Sequence, residues 1–312
     1  MSENAKPGVQ FKTVAEEHEG QRIDNYLMRE LKGLPKSKIY SLLRQGQIRV
    51  DGKRAKPDAR VEPGQVIRIP PLRLDEAAPV AAPSKQLSSL LADRVVFEDK
   101  GLIVINKPSG LAVHGGSGVN LGLIEALRAI RPTEKSLELV HRLDKETSGL
   151  LMIAKKRSVL KDLHEQMRSG SMFKSYVALL AGTWRGKNHR IEAPLYKFVA
   201  ANGERFVRVD KNGKEARTDF VTLKNFKQAT LVEAILFTGR THQIRVHSQF
   251  AGHAIIGDEK YGDEMVNKQF RALGLNRLFL HSAKLEIDYN GKRQRFEAPL
   301  DQDLAGFIRT LE

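Results

Sequence analysis

Residues 141–154 read HRLDKETSGLLMIA: a charged stretch, a Ser-Gly turn signal, then the apolar run Leu150-Leu151-Met152-Ile153-Ala154. A short apolar run behind a turn signal reads as a strand. Asp144 sits just ahead of it, between Arg142 and Lys145. An acid among cations is either placed to attack an electrophile or is an ordinary turn residue with convenient neighbours. The surrounding sequence has to decide.

Working outward, strand-like segments recur at 173–181, 205–210, 216–226, 229–238 and 279–289, with Asn212-Gly213 and Asn290-Gly291 as tight turns. Upstream, RVVFEDKGLIVINKP (94–108) gives two strands around Asp99-Lys100-Gly101. NLGLIEALRAI (120–130) and SVLKDLHEQM (158–167) carry apolar residues at helical spacing, and DLAGFIRTLE closes the chain as a short helix. Few helices among many strands predict an α+β domain over 93–312, on a mixed, mostly antiparallel sheet.

A different pattern precedes it. Residues 20–70 hold 12 Lys/Arg against 5 Asp/Glu, so +7 of the total formal charge of +15 lies in about a sixth of the chain. Ile23, Tyr26, Leu27 and Leu31 form one helical stripe, and Ile39, Leu42 and Leu43 another, with Gly46 as a helix stop. IRVDGKR follows as a hairpin turning at Asp51-Gly52, and Val66–Ile69 as a further strand. This small unit, taken as 20–72, presents Lys36, Lys38, Arg44, Arg49, Lys53, Arg54 and Lys56, cations suited to a phosphate backbone. Residues 1–19 read as a tail, and the Ala/Pro/Ser-rich 73–92 as a linker.

Composition removes several classes of function. There is no cysteine among the 312 residues, which excludes disulfides, thiol catalysis and Cys-zinc sites. The first residues lack the apolar run of a secretory signal, and no apolar stretch is long enough to span a bilayer, so a cytoplasmic protein without a membrane partner is expected. The glycine-rich GLAVHGGSGVN (110–120) is not followed by Gly-Lys-Ser/Thr, so it is no Walker loop. His164-Glu165 lies on a helix with Arg168 where a second zinc-binding His would have to stand.

Two resemblances carry the rest. PKSKIYSLLRQGQIRVDGKRAKP (35–57) resembles an S4-type RNA-binding domain. In the larger domain INKPSGLAVHGG, HRLDKETSGLL, FKSYVAL and TGRTHQIRVH occur in that order, and together they resemble the RluA-type pseudouridine synthases. The loop Ala112–Gly118 is most similar to members acting on large-subunit ribosomal RNA. The resemblance implies isomerisation of uridine to pseudouridine in that RNA, or in an assembling large-subunit particle, needing neither metal nor cofactor; nothing in the sequence demands a dimer, and a monomer is expected. It implies Asp144 as the catalytic carboxylate, acting on a base flipped out of the RNA stack, with Arg240 as its ion-pair partner. It also implies Tyr176 as the aromatic that stacks on the uracil, and Arg142 as the side chain entering the vacated stack. Ile244 and Val246, alternating with Arg245 on an expected strand, would supply an apolar wall, and Lys107 either contacts phosphate or caps its strand. His141, His242 and His247 read as structural hydrogen-bonders. The alternatives are a non-catalytic S4 RNA-binding ribosome-assembly factor and a glycosidase pairing Asp144 with Glu146.

Overall fold

The computed structural model describes residues 8–31, 33–72, 82–115, 121–134, 136–201 and 203–312. The chain divides into two compact units, Met1–Ala82 and Pro83–Glu312.

In the first unit the helices Ile23–Glu30 and Lys36–Arg44 bury the expected stripes: Ile23, Tyr26, Leu27, Leu31, Ile39, Leu42 and Leu43 share one core with Ile48, Ile67 and Ile69. The hairpin of Arg49–Val50 with Lys53–Arg54 turns at Asp51-Gly52, both at positive φ, the backbone that a two-residue turn of matching twist requires. The expected tail is partly structured, because Gln10–Thr13 pairs antiparallel with Val66–Ile69 and extends the small sheet. Residues 1–7 lie outside the described residues.

The second unit begins inside the expected linker. Lys85–Asp93 is a helix, capped by the Ser84 hydroxyl accepting from Leu87 N, and it buries Leu91 in the core; the Ala/Pro-rich composition around it hid this pattern. Residues 73–81 and 116–120, the latter part of the glycine-rich loop, lie outside the described residues.

A ten-stranded sheet dominates this unit. Eight strands form its main path: Asn188–Glu192, Arg217–Asn225, Ala229–Leu236, Phe173–Ala181, Leu280–Tyr289, Ser148–Ala154, Leu102–Lys107 and Val95–Glu98. Glu138–Leu139 and Lys292–Glu297 pair alongside. Every pairing is antiparallel except Ser148–Ala154 with Leu280–Tyr289. The strand after Asp144 is apolar without interruption because both of its faces are covered. Leu151 and Ile153 join one core cluster, while Leu150 and Met152 join another. Among the described residues no helix is long and apolar enough to cross a membrane.

Candidate active site

The central parallel pairing fixes the site. Ser148 lies opposite His281 and Gly149 opposite Ser282. A Cβ on Gly149 would stand 2.2 Å from Ser282 O, and Gly149 has φ +107°, so glycine alone permits this close approach. The turn carrying Asp144 therefore enters the sheet at one fixed place. Thr147 N donates to Asp144 O at 3.1 Å, Gly110 N to Lys145 O at 2.9 Å, and Ser109 Oγ to Glu146 O at 2.7 Å.

Lys107 is fully buried beneath that turn. Its ammonium donates to the carbonyls of Pro108, Leu111 and Lys145 at 2.9–3.0 Å. Burial pulls its pKa down to about 7, with nearby charges adding to and opposing the effect, yet three carbonyl acceptors suit the three donors of the charged form. Of the two expected readings, phosphate contact and strand cap, the second fits: a side chain with no exposed surface clamps the loops beyond its strand.

Asp144 lines a cleft with Arg142, Leu143, Thr147, Tyr176, Leu236, Arg240, His242, Gln243, Ile244, Arg245 and Leu280. Here the expected ion pair is corrected as well. Arg240 is exposed and its Nε donates to Glu215 O at 3.0 Å, so it forms part of the cleft without holding the acid. The cation on Asp144 is Arg245, whose Nη1 lies 2.9 Å from Asp144 Oδ2. Arg245 in turn donates from Nε and Nη2 to the two oxygens of Asp258, at 2.7 and 2.8 Å. One planar guanidinium therefore bridges two carboxylates, a geometry its fork of donors allows and a lysine could not reproduce. Asp258 is fully buried, which works to raise its pKa, but the hydrogen bonds and charge of Arg245 outweigh burial and hold it below the usual carboxylate range. The same pairing raises Arg245 against its own desolvation. Asp258 also accepts from the backbone N–H of Lys260 and Tyr261.

Arg245 can do this because Gln243–Phe250 is a helix, where alternation within THQIRVH had pointed to a strand. The Gln243 side chain decides it locally: its amide oxygen accepts from Arg240 N at 3.0 Å and from Thr238 Oγ1 at 2.7 Å, while its nitrogen donates to Arg217 O and Thr218 Oγ1. The helix buries Ile244, Val246, His247 and Ser248, and Ile244 does wall the cleft.

His247 is structural, bonded to Thr218 Oγ1 and Ala193 O. His141 accepts from Met152 N, and burial foremost pulls its pKa down to about 3. His242 has a second role. It starts the helix in the left-handed conformation at φ 54°, and its Nε2 lies 3.8 Å from Asp144 Oδ2. Tyr261 Oη accepts from Val207 N at 3.0 Å and lies 2.7 Å from His242 Nδ1. Burial foremost lowers the pKa of His242 and favours its neutral form.

Tyr176 stands opposite Ser282 on the Phe173–Ala181 strand, 7 % exposed in the cleft wall. Burial, with the charge of Asp144 adding to it, pushes its phenol up to about 12. Arg142 is exposed at the rim. Glu146 is more than half exposed and its near partner is Lys145, so the acid is matched with a guanidinium and not with a second carboxylate.

One carboxylate, one buried phenol and apolar walls under a rim of arginines suit a flat heterocycle attached to an anionic chain. A profile of the RNA pseudouridylate synthase family matches residues 101–250, and one of the S4 domain matches residues 21–67. The chain is 50% identical to the Haemophilus influenzae ribosomal large subunit pseudouridine synthase C, over 97% of this chain and 95% of that protein. The chain belongs to the RNA pseudouridylate synthases. It is an RNA pseudouridine synthase of the RluA type, with an N-terminal S4 domain. The synthase of the same name from Escherichia coli K12 is 48% identical, over 98% of this chain and 97% of the other. Among solved structures, human RNA pseudouridylate synthase domain containing 4 superposes with a TM-score of 0.62 at 26% identity, covering 72% of this chain and 95% of that one.

Sequence reasoning named Arg245 without assigning its partner, and it missed Asp258 and Tyr261 altogether. GDEKYG (257–262) offered the signal: an Asp followed by backbone donors at Lys260 and Tyr261 is a turn built around its own carboxylate.

In the first unit Lys36, Lys38, Arg44, Arg49, Lys53, Arg54 and Lys56 are all exposed. None of the seven is in an ion pair with a carboxylate among the described residues.

Proposed function

We propose that this synthase isomerises specific uridines of large-subunit ribosomal RNA, acting in the cytoplasm as a monomer, with Asp144 as the catalytic carboxylate on a flipped-out base. The names of the relatives support the RNA class. The observation that carries the site is Asp144 in a cleft, held by Arg245 and walled by Tyr176.

The reaction breaks the N1–C1′ bond, turns the uracil, and forms a C5–C1′ bond; the C5 proton leaves and N1 ends protonated. It consumes no reductant or energy source, so the residues must supply a charge-matched acid, a platform and exclusion of water. Asp144 attacks C1′ or C6, or assists loss of a ribose proton; each route needs a carboxylate on one face of the nucleoside. Arg245 and His242 leave one side of that carboxylate free toward the cleft. Tyr176, whose phenol stays protonated over the physiological range, stacks on the uracil. A stacked base cannot reach a side chain 7 % exposed, so the uridine is extruded, and Arg142 at the rim fills the space it leaves. The exposed cations of the S4 unit bind the flanking RNA backbone.

Transcribed large-subunit rRNA carrying [5-³H]uridine provides the test, because C5 loses its hydrogen as the new bond forms. Asp144→Asn is expected to abolish tritium release while RNA affinity stays within about threefold of the parent. Release at the parental rate by that variant would remove Asp144 from the reaction. No release by the parent protein on any rRNA would favour an assembly factor instead.

A further inference from the structure

Two lysines are buried among the described residues, Lys107 and Lys174. Lys107 donates to three carbonyls. Lys174, 7 % exposed, has no hydrogen-bond or ion-pair partner among the described residues. Burial of its stem works against its charge and lowers its pKa, yet its ammonium is not among the fully buried atoms without a partner, so it stays open to an anion from outside the protein.

Its position tells where the anion comes from. Lys174 precedes Tyr176 by two residues on one strand, so both side chains leave the same face. Against one neighbouring strand Ser175 lies opposite Ile235 and Tyr176 opposite Ala234; against the other Lys174 lies opposite Leu285, with a register shift between Ser175 and Tyr176. The ammonium ends 3.6 Å from where a Cβ on Gly239 would lie, next to Arg240. Its charge also reaches His141, next to Arg142. The ammonium thus lies beside Gly239, the chain neighbour of the cleft residue Arg240, and Gly239, itself exposed and without a side chain, leaves it uncovered.

We propose that Lys174 binds a backbone phosphate of the RNA beside the extruded uridine. This rests on the proposed reaction at the same cleft. Extruding a nucleotide swings it about its flanking phosphates, so a fixed cation at the edge holds the pivot. An ammonium on a strand is also less mobile than one on a loop, which suits a grip that must not shift as the base turns.

The test uses the full-length protein with transcribed large-subunit rRNA labelled with [5-³H]uridine. Lys174→Met, near in shape and uncharged, is expected to raise Kd and KM about tenfold while kcat stays within about threefold. The slope of log Kd against log salt should fall by about 0.7, the value for one phosphate contact on a single strand. Lys174→Arg should keep the parental slope. Gly239→Leu, which covers the ammonium and leaves its charge, should raise KM likewise, and it serves if Lys174→Met does not fold. A folded Lys174→Met protein with unchanged slope and KM, or with only kcat reduced, overturns the proposal. The binding slopes can be read even if the parent releases no tritium, so a failure of the reaction is distinguishable from a failure of Lys174.

Discussion

Replacing Arg245 by Met should damage both stability and turnover, while the same change at Arg240 should spare both. The expected size follows from the contacts. Arg245 makes two hydrogen bonds to a carboxylate with no exposed surface and a third to Asp144. Its loss leaves Asp258 as an uncompensated buried charge, with only backbone donors, at a cost of about 3–5 kcal/mol. Asp144 loses its one charge-assisted donor, about 1.5–3 kcal/mol, or on the order of 10- to 100-fold in kcat if that bond is kept in the transition state. Arg240 gives up a single hydrogen bond from an exposed side chain to a carbonyl, about 1 kcal/mol or less. Urea unfolding measures the first quantity and tritium release the second. The pH dependence adds a sign. Asp258 is held below its ordinary pKa when folded, so its stabilisation is present above the unfolded value near 3.9 and is lost as pH falls through the lower folded value. The gap between parent and Arg245→Met should therefore be full at neutral pH and close below about pH 4. If Arg240→Met costs as much as Arg245→Met in either assay, the bridge of one guanidinium between two carboxylates is not what holds the site.

Two further outcomes follow from the framework under Asp144. Gly149→Ala places a Cβ 2.2 Å from Ser282 O at a φ of +107°, so the variant should fold poorly, losing more than about 3 kcal/mol in urea unfolding. Parental stability would contradict the close parallel pairing. Lys107 has a folded pKa of about 7 against an ordinary 10.5, so between these values the unfolded chain binds the extra proton and stability rises with pH. Lys107→Met should flatten that rise by up to about 1.4 kcal/mol per pH unit, and an identical slope in both proteins would mean that the three carbonyls keep the ammonium charged in the fold.

How much of this was legible in the sequence differs by element. The S4 helices were readable from Ile23, Tyr26, Leu27, Ile39 and Leu42 because their apolar spacing matches the helical period, and the hairpin from Asp51-Gly52, which takes the positive φ the turn needs. The strand Phe173–Ala181 was readable to its ends. The helix Gln243–Phe250 was not: Ile-Arg-Val alternates as a strand does, and the deciding bonds from Gln243 run to Thr238, Arg217 and Thr218. The helix Lys85–Asp93 was hidden in an Ala/Pro-rich stretch, since its one buried residue, Leu91, acquires meaning only against the core it enters.

The chain by itself determined the architecture, the concentration of positive charge in the first unit and the candidate acid, because period, turn residues and motif order are local properties of a string. Which arginine holds Asp144, that Asp258 stands behind it, and that Lys107 looks inward were decided in three dimensions. Arg240 and Arg245 are five residues apart and chemically identical. Only the helix that turns one toward a buried carboxylate, and leaves the other in solvent, separates their roles.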